Sequence, residues 1–372
     1  MAFEITKWCM LCTAISAALL SALPIWAVAE PQVDCFFIFG DSIVDNGNNN
    51  NLVTLAKSDF PPYGIDTPNH MPTGRFTNNR TIADITGELL GLKDYIPPYA
   101  DSHNANLLPG MNYASAAAGI RDETGQHLGG RISFNHQLRN HQDIISRIVN
   151  FLGSNESATT HLNKCLYFVG LGNNDYINNY LLPLSYPSSR TYTPDQFAQI
   201  LIQQYSEQIK TLYSYGAKKV ALYSLLPIGC APNEIAKYGT NGALCVDNIN
   251  AQVVLFNSRL RSLVDELNNN FRDANFVYVN LFDLALSAIS NPGLFGFKVT
   301  NCACCGVGPN NGIACIPLEV PCQNRAEYLF WDAFHPTEAS NLIIARRSYH
   351  DPSLNVTYPM DISTLARLQR AS

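Results

Sequence analysis

One stretch decides the fold class of this 372-residue chain: Cys35-Phe36-Phe37-Ile38-Phe39-Gly40-Asp41-Ser42-Ile43. Its first five residues are uniformly apolar, which is typical of a β-strand that is covered on both faces. Gly40 then permits a tight turn, and the next helix is predicted to begin near Ser42. The stretch therefore predicts a buried strand that ends directly before a serine.

Further short apolar runs share the character of the first and alternate with amphipathic helical patterns. The runs cover residues 111–114, 166–169, 220–225 and 276–279. Three stripes of apolar residues at helical spacing occupy 144–152, 197–212 and 253–271. Since strand and helix alternate, the sequence predicts one α/β domain with a mostly parallel central sheet.

Composition and charge narrow the class of protein further. The chain is 47% hydrophobic and only 15% charged, and its formal net charge is −6. Such a composition is typical of a globular protein and argues against a disordered or collagen-like chain. Nucleic-acid-binding proteins usually carry a basic excess, so no nucleic-acid partner is expected.

The first residues have the pattern of a secretory signal peptide. Lys7 precedes an apolar run over 8–23, and small residues at 27–29 offer a cleavage site. A membrane anchor is the alternative, but the run is short, interrupted by serines and followed by proline. We therefore expect a signal peptide over 1–29, a single domain over 30–372, and a secreted protein without a stable membrane span.

Cysteine usage agrees with an oxidising compartment. Eleven cysteines occur, and removing residues 1–29 leaves nine, which is an odd number. Most of them form two groups: Cys230 with Cys245, and Cys302, Cys304, Cys305, Cys315 and Cys322. These groups predict disulfides across loops, with one thiol free or paired outside the chain. A zinc site is the alternative, but no C-x-x-C pair or nearby histidine supports it, so no metal is expected.

Three tripeptides match the acceptor pattern for N-linked glycans. They begin at Asn79, Asn155 and Asn355. In a secreted chain, each predicts a glycosylated surface asparagine.

The residues best suited to chemistry follow the ends of strands, because ligands of parallel α/β sheets bind there. Ser42 lies beside backbone N–H groups, which suits a nucleophile whose attack forms an oxyanion, although a helix-capping serine has the same position. Asp332 and His335 form a D-x-x-H spacing in which the carboxylate can accept the Nδ1–H of the ring. The Nε2 atom is then free to take the Ser42 proton.

An asparagine supplies the third element. Gly172-Asn173-Asn174-Asp175 follows the third strand, and an asparagine amide there can donate to an oxyanion. By itself this pattern indicates only a turn. Neither G-x-S-x-G nor H-E-x-x-H occurs in the chain.

Together these stretches resemble the four sequence blocks of the GDSL esterase/lipase family, also called SGNH hydrolases, and most closely its plant branch. The blocks are residues 37–48, 112–115, 172–175 and 332–338, in family order. The resemblance implies a flavodoxin-like three-layer α/β/α fold that hydrolyses carboxylic esters with no metal or other cofactor.

The resemblance also implies roles for individual residues. Ser42 would be the nucleophile, His335 the general base, and Asp332 the group that orients His335. Asn174 and the Ser42 backbone N–H would donate to the oxyanion. Two departures occur: Ile43 replaces the leucine that names the family, and the glycine of the second block is replaced by Ala117, with Gly119 as the alternative. Ala117 is expected to donate only if its φ is negative.

The sequence is therefore interpreted as a secreted serine esterase or lipase that forms an acyl-enzyme on a small-molecule, lipid or polymer ester. Two alternatives remain: an acyltransferase with the same triad, and an inactive extracellular binding module. Tyr176, Tyr180 and the two leucines after them are candidates for an acyl pocket or for ordinary packing. The other histidines, including His141, are expected to be solvated.

Overall fold

A six-stranded sheet forms the centre of the computed structural model, which describes residues 30–368. The strand order is β2-β1-β3-β4-β5-β8; the first five strands are parallel, and β8 is antiparallel to β5. Their bounds are Phe36–Gly40 for β1, Gly110–Asn112 for β2, Leu166–Gly170 for β3, Lys219–Tyr223 for β4, Asn275–Val279 for β5 and Thr357–Tyr358 for β8. A separate parallel pair consists of β6, Val299–Ala303, and β7, Tyr328–Phe330.

Helices flank the sheet. They are α1 Ile82–Leu89, α2 Phe134–Leu152, α3 Asn155–Leu162, α4 Asn173–Asp175, α5 Ser188–Thr191, α6 Pro194–Ser214, α7 Pro232–Tyr238, α8 Asp247–Asn270, α9 Leu281–Ser290, α10 Pro292–Phe295, α11 Glu338–Tyr349 and α12 Ile362–Arg367. The expected three-layer α/β/α fold with a mostly parallel sheet is confirmed.

Strand β1 shows why its residues are uniformly apolar. Successive side chains of a strand point to opposite faces of its sheet. Phe37 and Phe39 pack in one hydrophobic cluster with residues of α2, α6 and α8. Phe36 and Ile38 pack in the other, with residues of α1, α11 and α12. Both faces of the strand are therefore buried under helices, as the sequence predicts.

The prediction of a helix near Ser42 is wrong. Residues 41–44 form a turn in which the Asp45 N–H donates to the Asp41 carbonyl at 3.0 Å. Two aspartates favour this turn, because the Asp41 carboxylate accepts the Ile43 N–H at 3.0 Å and the Asp45 carboxylate accepts from Gly47 and the residue after it. Side-chain acceptors of this kind compete with the helical hydrogen bonds of the backbone.

Four disulfides join cysteines of the described residues, three of them within the predicted groups and one, Cys35–Cys165, outside those groups. They join Cys35 to Cys165, Cys230 to Cys245, Cys304 to Cys322 and Cys305 to Cys315. Among the described residues, Cys302 is the free thiol. The Cys35–Cys165 bridge connects residues that directly precede β1 and β3, two neighbouring strands of the sheet.

Two clusters have the ligand spacing of a metal site, and a disulfide crosses each of them. One contains Cys35, His161 and Cys165, and the other contains Cys305, Cys315 and Glu319. A sulfur in a disulfide is not a thiolate, which is the form that binds metals. The disulfides thus explain the proximity of these groups.

His141 contradicts the expectation that it is solvated. Its side chain is fully buried, and its Nδ1 lies 2.9 Å from the Tyr113 hydroxyl. The rings of Phe37 and Phe39 meet it edge to face. Burial lowers the pKa of His141 to about 3, so the ring stays neutral inside the core.

The segment predicted as a signal peptide, 1–29, lies outside the described residues and stays a prediction, as do the bounds of the domain over 30–372. From residue 30 to residue 368, the helices include none whose length and hydropathy would suit a membrane span.

Glu234, on α7, is a buried acid in a largely apolar environment. Its side chain is 1% exposed, and its Oε2 has no hydrogen-bond partner among residues 30–368. Burial raises the pKa of Glu234 from 4.5 to about 7, although the charge of Lys237 opposes the shift. The folded protein therefore holds this proton at a pH where the unfolded chain has released it.

Glu234→Gln should stabilise the protein at pH 8. Because the pKa of Glu234 is raised in the folded state, the contribution of Glu234 to the free energy of unfolding falls as the pH rises from about 4.5 to about 7. Above that pH this contribution is constant. The glutamine cannot ionise, so its gain over the native chain should be absent near pH 4.5 and reach about 1–3 kcal/mol at pH 8. Urea unfolding at both pH values measures this. Glu266→Gln, at an exposed position on α8, is the control; an equal gain at both pH values would contradict the argument.

Candidate active site

A cavity of about 410 Å³ brings the predicted site residues together. Ser42 follows β1, Asn174 follows β3, and His335 follows β7. All three line the cavity, together with Asp332. The carboxyl ends of β1 and β3 lie side by side, which explains why the first two residues meet.

Three side chains form a continuous chain of hydrogen bonds. The Ser42 Oγ lies 2.7 Å from the His335 Nε2. The His335 Nδ1 lies 2.8 Å from each carboxylate oxygen of Asp332. With Asp332 as the acceptor at Nδ1, that nitrogen carries the proton, and Nε2 is left to accept from the serine hydroxyl.

Local backbone geometry holds the D-x-x-H segment in this arrangement. The Asp332 Oδ1 accepts the N–H groups of Phe334 at 2.9 Å and His335 at 2.8 Å. The His335 carbonyl in turn accepts the Trp331 N–H at 2.7 Å. Aspartates form such turns readily, and here the turn places carboxylate and ring side by side.

The Asp332 carboxylate is buried but remains ionised. Burial alone would raise the pKa of Asp332. The charge of the His335 ring and the hydrogen bonds from that ring, Tyr63 and the Phe334 N–H outweigh burial and hold the pKa below its ordinary value. A negative charge is therefore maintained behind the ring.

Tyr63 is a member of this network that sequence reasoning missed. Its hydroxyl donates to the Asp332 Oδ2 at 2.6 Å. The side chain is buried, and its ring meets those of Phe60, Phe76 and Trp331. Burial raises the pKa of Tyr63 further above its ordinary value, so the hydroxyl keeps its proton. No spacing pattern signals a contact between residues 269 positions apart.

Asn174 lines the same cavity as Ser42, and hydrogen bonds hold its amide in a defined orientation. Its Nδ2 donates to the Ala118 carbonyl at 3.0 Å, and its Oδ1 accepts from the Asn178 Nδ2 at 2.6 Å. Since Nδ2 carries two hydrogens, one is left to donate into the cavity. The neighbouring Asn173 has a different role, because it donates to the Asp41 carboxylate at 3.3 Å and accepts the Leu226 N–H.

Asp175 fixes the segment opposite Asn174. Its carboxylate accepts the N–H groups of Ile120 at 2.8 Å and Arg121 at 3.1 Å, and the Thr124 hydroxyl at 2.7 Å. Burial raises the pKa of Asp175 to about 6 in spite of these donors. The carboxylate thereby joins α4 to the loop that follows β2.

The two alternatives for the third oxyanion donor occupy different environments. Ala117 lines the cavity with Ser42 and Asn174. At Gly119, a Cβ atom would lie 2.7 Å from both carboxylate oxygens of Asp175, so this glycine packs against that side chain. The position therefore favours Ala117 over Gly119.

The condition set for Ala117 as a donor, a negative φ, is not met, so its place in the cavity is what supports that role. Its φ is +63°, in the left-handed region that favours glycine. Hydrogen bonds on both sides hold this conformation, because the Ala116 N–H donates to Asp45 at 2.9 Å and the Ala118 N–H donates to Ser115 at 3.1 Å. An alanine thus adopts the backbone conformation that a glycine would adopt without strain.

The aromatic residues after Asn174 belong to the core. Tyr176 and Tyr180 are buried, and the Tyr180 ring stacks on Phe197 with 4.6 Å between centroids. Of this segment, Ile177 and Asn178 line the cavity instead. Of the two interpretations offered for these tyrosines, the structure agrees with ordinary packing.

Comparison with known proteins agrees with this geometry. The family model described as GDSL-like lipase/acylhydrolase matches residues 36–348. The chain is 52% identical to the GDSL esterase/lipase At1g29670 of Arabidopsis thaliana over 98% of its own length and 99% of the relative. It is 49% identical to At1g29660 of the same plant, over 97% and 98% of the two lengths. The chain therefore belongs to the GDSL-like lipase/acylhydrolase family.

Proposed function

We propose that this protein is a secreted carboxylic ester hydrolase that works through an acyl-enzyme on Ser42. Membership of the GDSL-like lipase/acylhydrolase family gives the reaction class. The observation that carries the mechanism is the chain of hydrogen bonds through His335. The Ser42 Oγ lies 2.7 Å from the His335 Nε2, and the His335 Nδ1 lies 2.8 Å from Asp332.

In the first half-reaction, the Ser42 oxygen attacks the ester carbonyl while the His335 Nε2 takes the hydroxyl proton. The ionised Asp332 stabilises the imidazolium that forms. When the tetrahedral intermediate collapses, the carbon–oxygen bond to the alcohol breaks and His335 returns the proton to the departing alkoxide. Ser42 is left acylated.

In the second half-reaction, water replaces the alcohol. His335 removes a proton from the water as its oxygen attacks the acyl carbon, and the bond to Ser42 then breaks. The Ser42 N–H, the Asn174 amide and the Ala117 N–H are assigned to the oxyanion in both steps. Donors already held in place stabilise this charge without reorganisation.

Several features support an extracellular location. Four disulfides are typical of an oxidising compartment. Two of the three predicted glycan acceptors, Asn155 and Asn355, are exposed. Asn79 is half-buried and its Nδ2, the atom that would carry a glycan, donates to Glu338 at 3.0 Å. We assign glycosylation to the two exposed asparagines.

Ser42→Ala should abolish the hydrolysis of p-nitrophenyl esters, because it removes the hydroxyl that lies 2.7 Å from the His335 Nε2. The melting temperature should stay nearly unchanged, since the exchange removes one oxygen beside a cavity. The native protein should also react with a fluorophosphonate probe, whereas the variant should not. Full esterase activity in the variant would refute the acyl-enzyme mechanism, and a native protein that ignores the probe would indicate an inactive binding module.

Asn174→Ala should lower kcat by about 10²–10³-fold, as removal of one oxyanion donor does elsewhere. KM should change little, because the donor acts mainly on the charge that develops in the transition state. Steady-state kinetics on p-nitrophenyl butyrate separate the two constants. Unfolding curves control for the lost bonds to Ala118 and Asn178. A loss confined to KM would assign Asn174 to substrate binding instead.

Tyr63→Phe should lower kcat about tenfold, which corresponds to one hydrogen bond to a charged group. The acidic limb of the kcat/KM profile should also move to higher pH, because the hydrogen bond from Tyr63 lowers the pKa of Asp332 and its loss raises that pKa. Tyr167→Phe, buried in β3 with its hydroxyl 3.4 Å from the Leu162 carbonyl, is the matched control. An unchanged pH profile in Tyr63→Phe would limit Tyr63 to packing.

A further inference from the structure

The active-site cavity has two unlike ends. Two of its lining residues, Leu55 and Ile313, are 80% and 58% exposed, and they mark the open end. Others, including Ile289, Leu329 and Ile344, are at most 5% exposed and mark a closed end. The cavity therefore extends from solvent past the nucleophile into the protein.

The closed end lies between two helices. Ile289 of α9 and Ile344 of α11 line it, and the residues four positions before them, the half-buried Ala285 and the buried Ser340, line the cavity on the same two helices. Residues at this spacing lie on one face of a helix, about 6 Å apart along its axis. Each helix thus contributes one turn to the wall, and Leu329 of β7 contributes to it as well.

The chemistry of an acyl-enzyme distinguishes the two ends. The alcohol must leave and water must enter while the acyl group stays on the serine, so the alcohol side needs access to solvent. The acyl side needs no such access to solvent. Burial of each methylene in an apolar site contributes to binding, and the closed end is apolar apart from Ser340.

We propose that the closed end is an acyl-binding subsite for linear fatty acyl chains and that Ala285 limits the length of chain it accepts. The alcohol portion of the ester occupies the open end, near Leu55 and Ile313. This assignment rests on the proposed function. Ala285 is the position to test because its side chain is a single methyl group on the wall, and a larger residue there would fill the subsite.

The experiment compares kcat/KM for p-nitrophenyl acetate, butyrate, hexanoate and octanoate, each below its solubility limit. In the native protein, kcat/KM should rise about fourfold per methylene while the chain still fits. Ala285→Leu adds three carbons and should lower the octanoate-to-acetate ratio more than tenfold. Ser287→Leu is the matched control, because it is exposed on the same helix and should leave the ratio unchanged.

A second variant tests the subsite in the opposite direction. Ile289→Ala enlarges the closed end and should raise the decanoate-to-butyrate ratio. If Ala285→Leu fails to fold, Ile289→Ala still tests whether the closed end binds the acyl chain. Fluorophosphonate labelling of Ser42 in every variant shows that the nucleophile is intact.

Two results would overturn the subsite. One is an unchanged chain-length profile in a folded Ala285→Leu or Ile289→Ala protein that still hydrolyses esters. The other is a native preference for p-nitrophenyl benzoate over octanoate, which would assign the closed end to an aromatic acyl group. Failure of the proposed function is a distinct result, because the native protein would then hydrolyse none of these esters.

Discussion

The buried negative charge of Asp332 is the constraint on which the site depends. An ionised carboxylate inside a protein is costly unless hydrogen bonds surround it. Here its partners are the ring and N–H of His335, the Phe334 N–H and the hydroxyl of Tyr63. The same contacts fix the ring so that Nε2 meets Ser42. The same hydrogen bonds thus stabilise the buried charge of Asp332 and orient the ring of His335.

A second polar network performs the corresponding task for the loop after β1. Asp45 accepts from the N–H groups of Gly47, Asn48 and Ala116. Asn48 donates to the carbonyl of Asn112, at the end of β2, and to that of Ala114. The turn that carries Ser42 is therefore tied to the turn that carries Ala117. Polar side chains thus hold the Ser42 turn in place at the point where the sequence predicted the start of a helix.

Sequence reasoning succeeded where the signal is local. Near-continuous apolar runs locate the five parallel strands, although the strands predicted over 111–114 and 220–225 end early, at Asn112 and Tyr223. The D-x-x-H spacing pairs Asp332 with His335 because both lie within one turn of chain. The antiparallel strand β8 was missed, since two residues are too few to show a period.

What the sequence could not predict depends on long-range packing. The partners of Tyr63 and His141 lie on other elements, and no spacing between them is repeated or constrained. The left-handed conformation of Ala117 is equally hidden, because alanine carries no preference for it. The sequence around each of these residues therefore contains no signal of its contacts or conformation in the folded protein.

The paired bridges from Cys304 and Cys305 have a consequence for one side of the cavity. They tie residues 304–322 into two closed loops next to β7, and Cys315 itself lines the cavity. Covalent loops of this kind have little freedom to swing outward. This side of the cavity, to which Ile313 and Cys315 contribute, is thus a wall that two covalent bonds hold together.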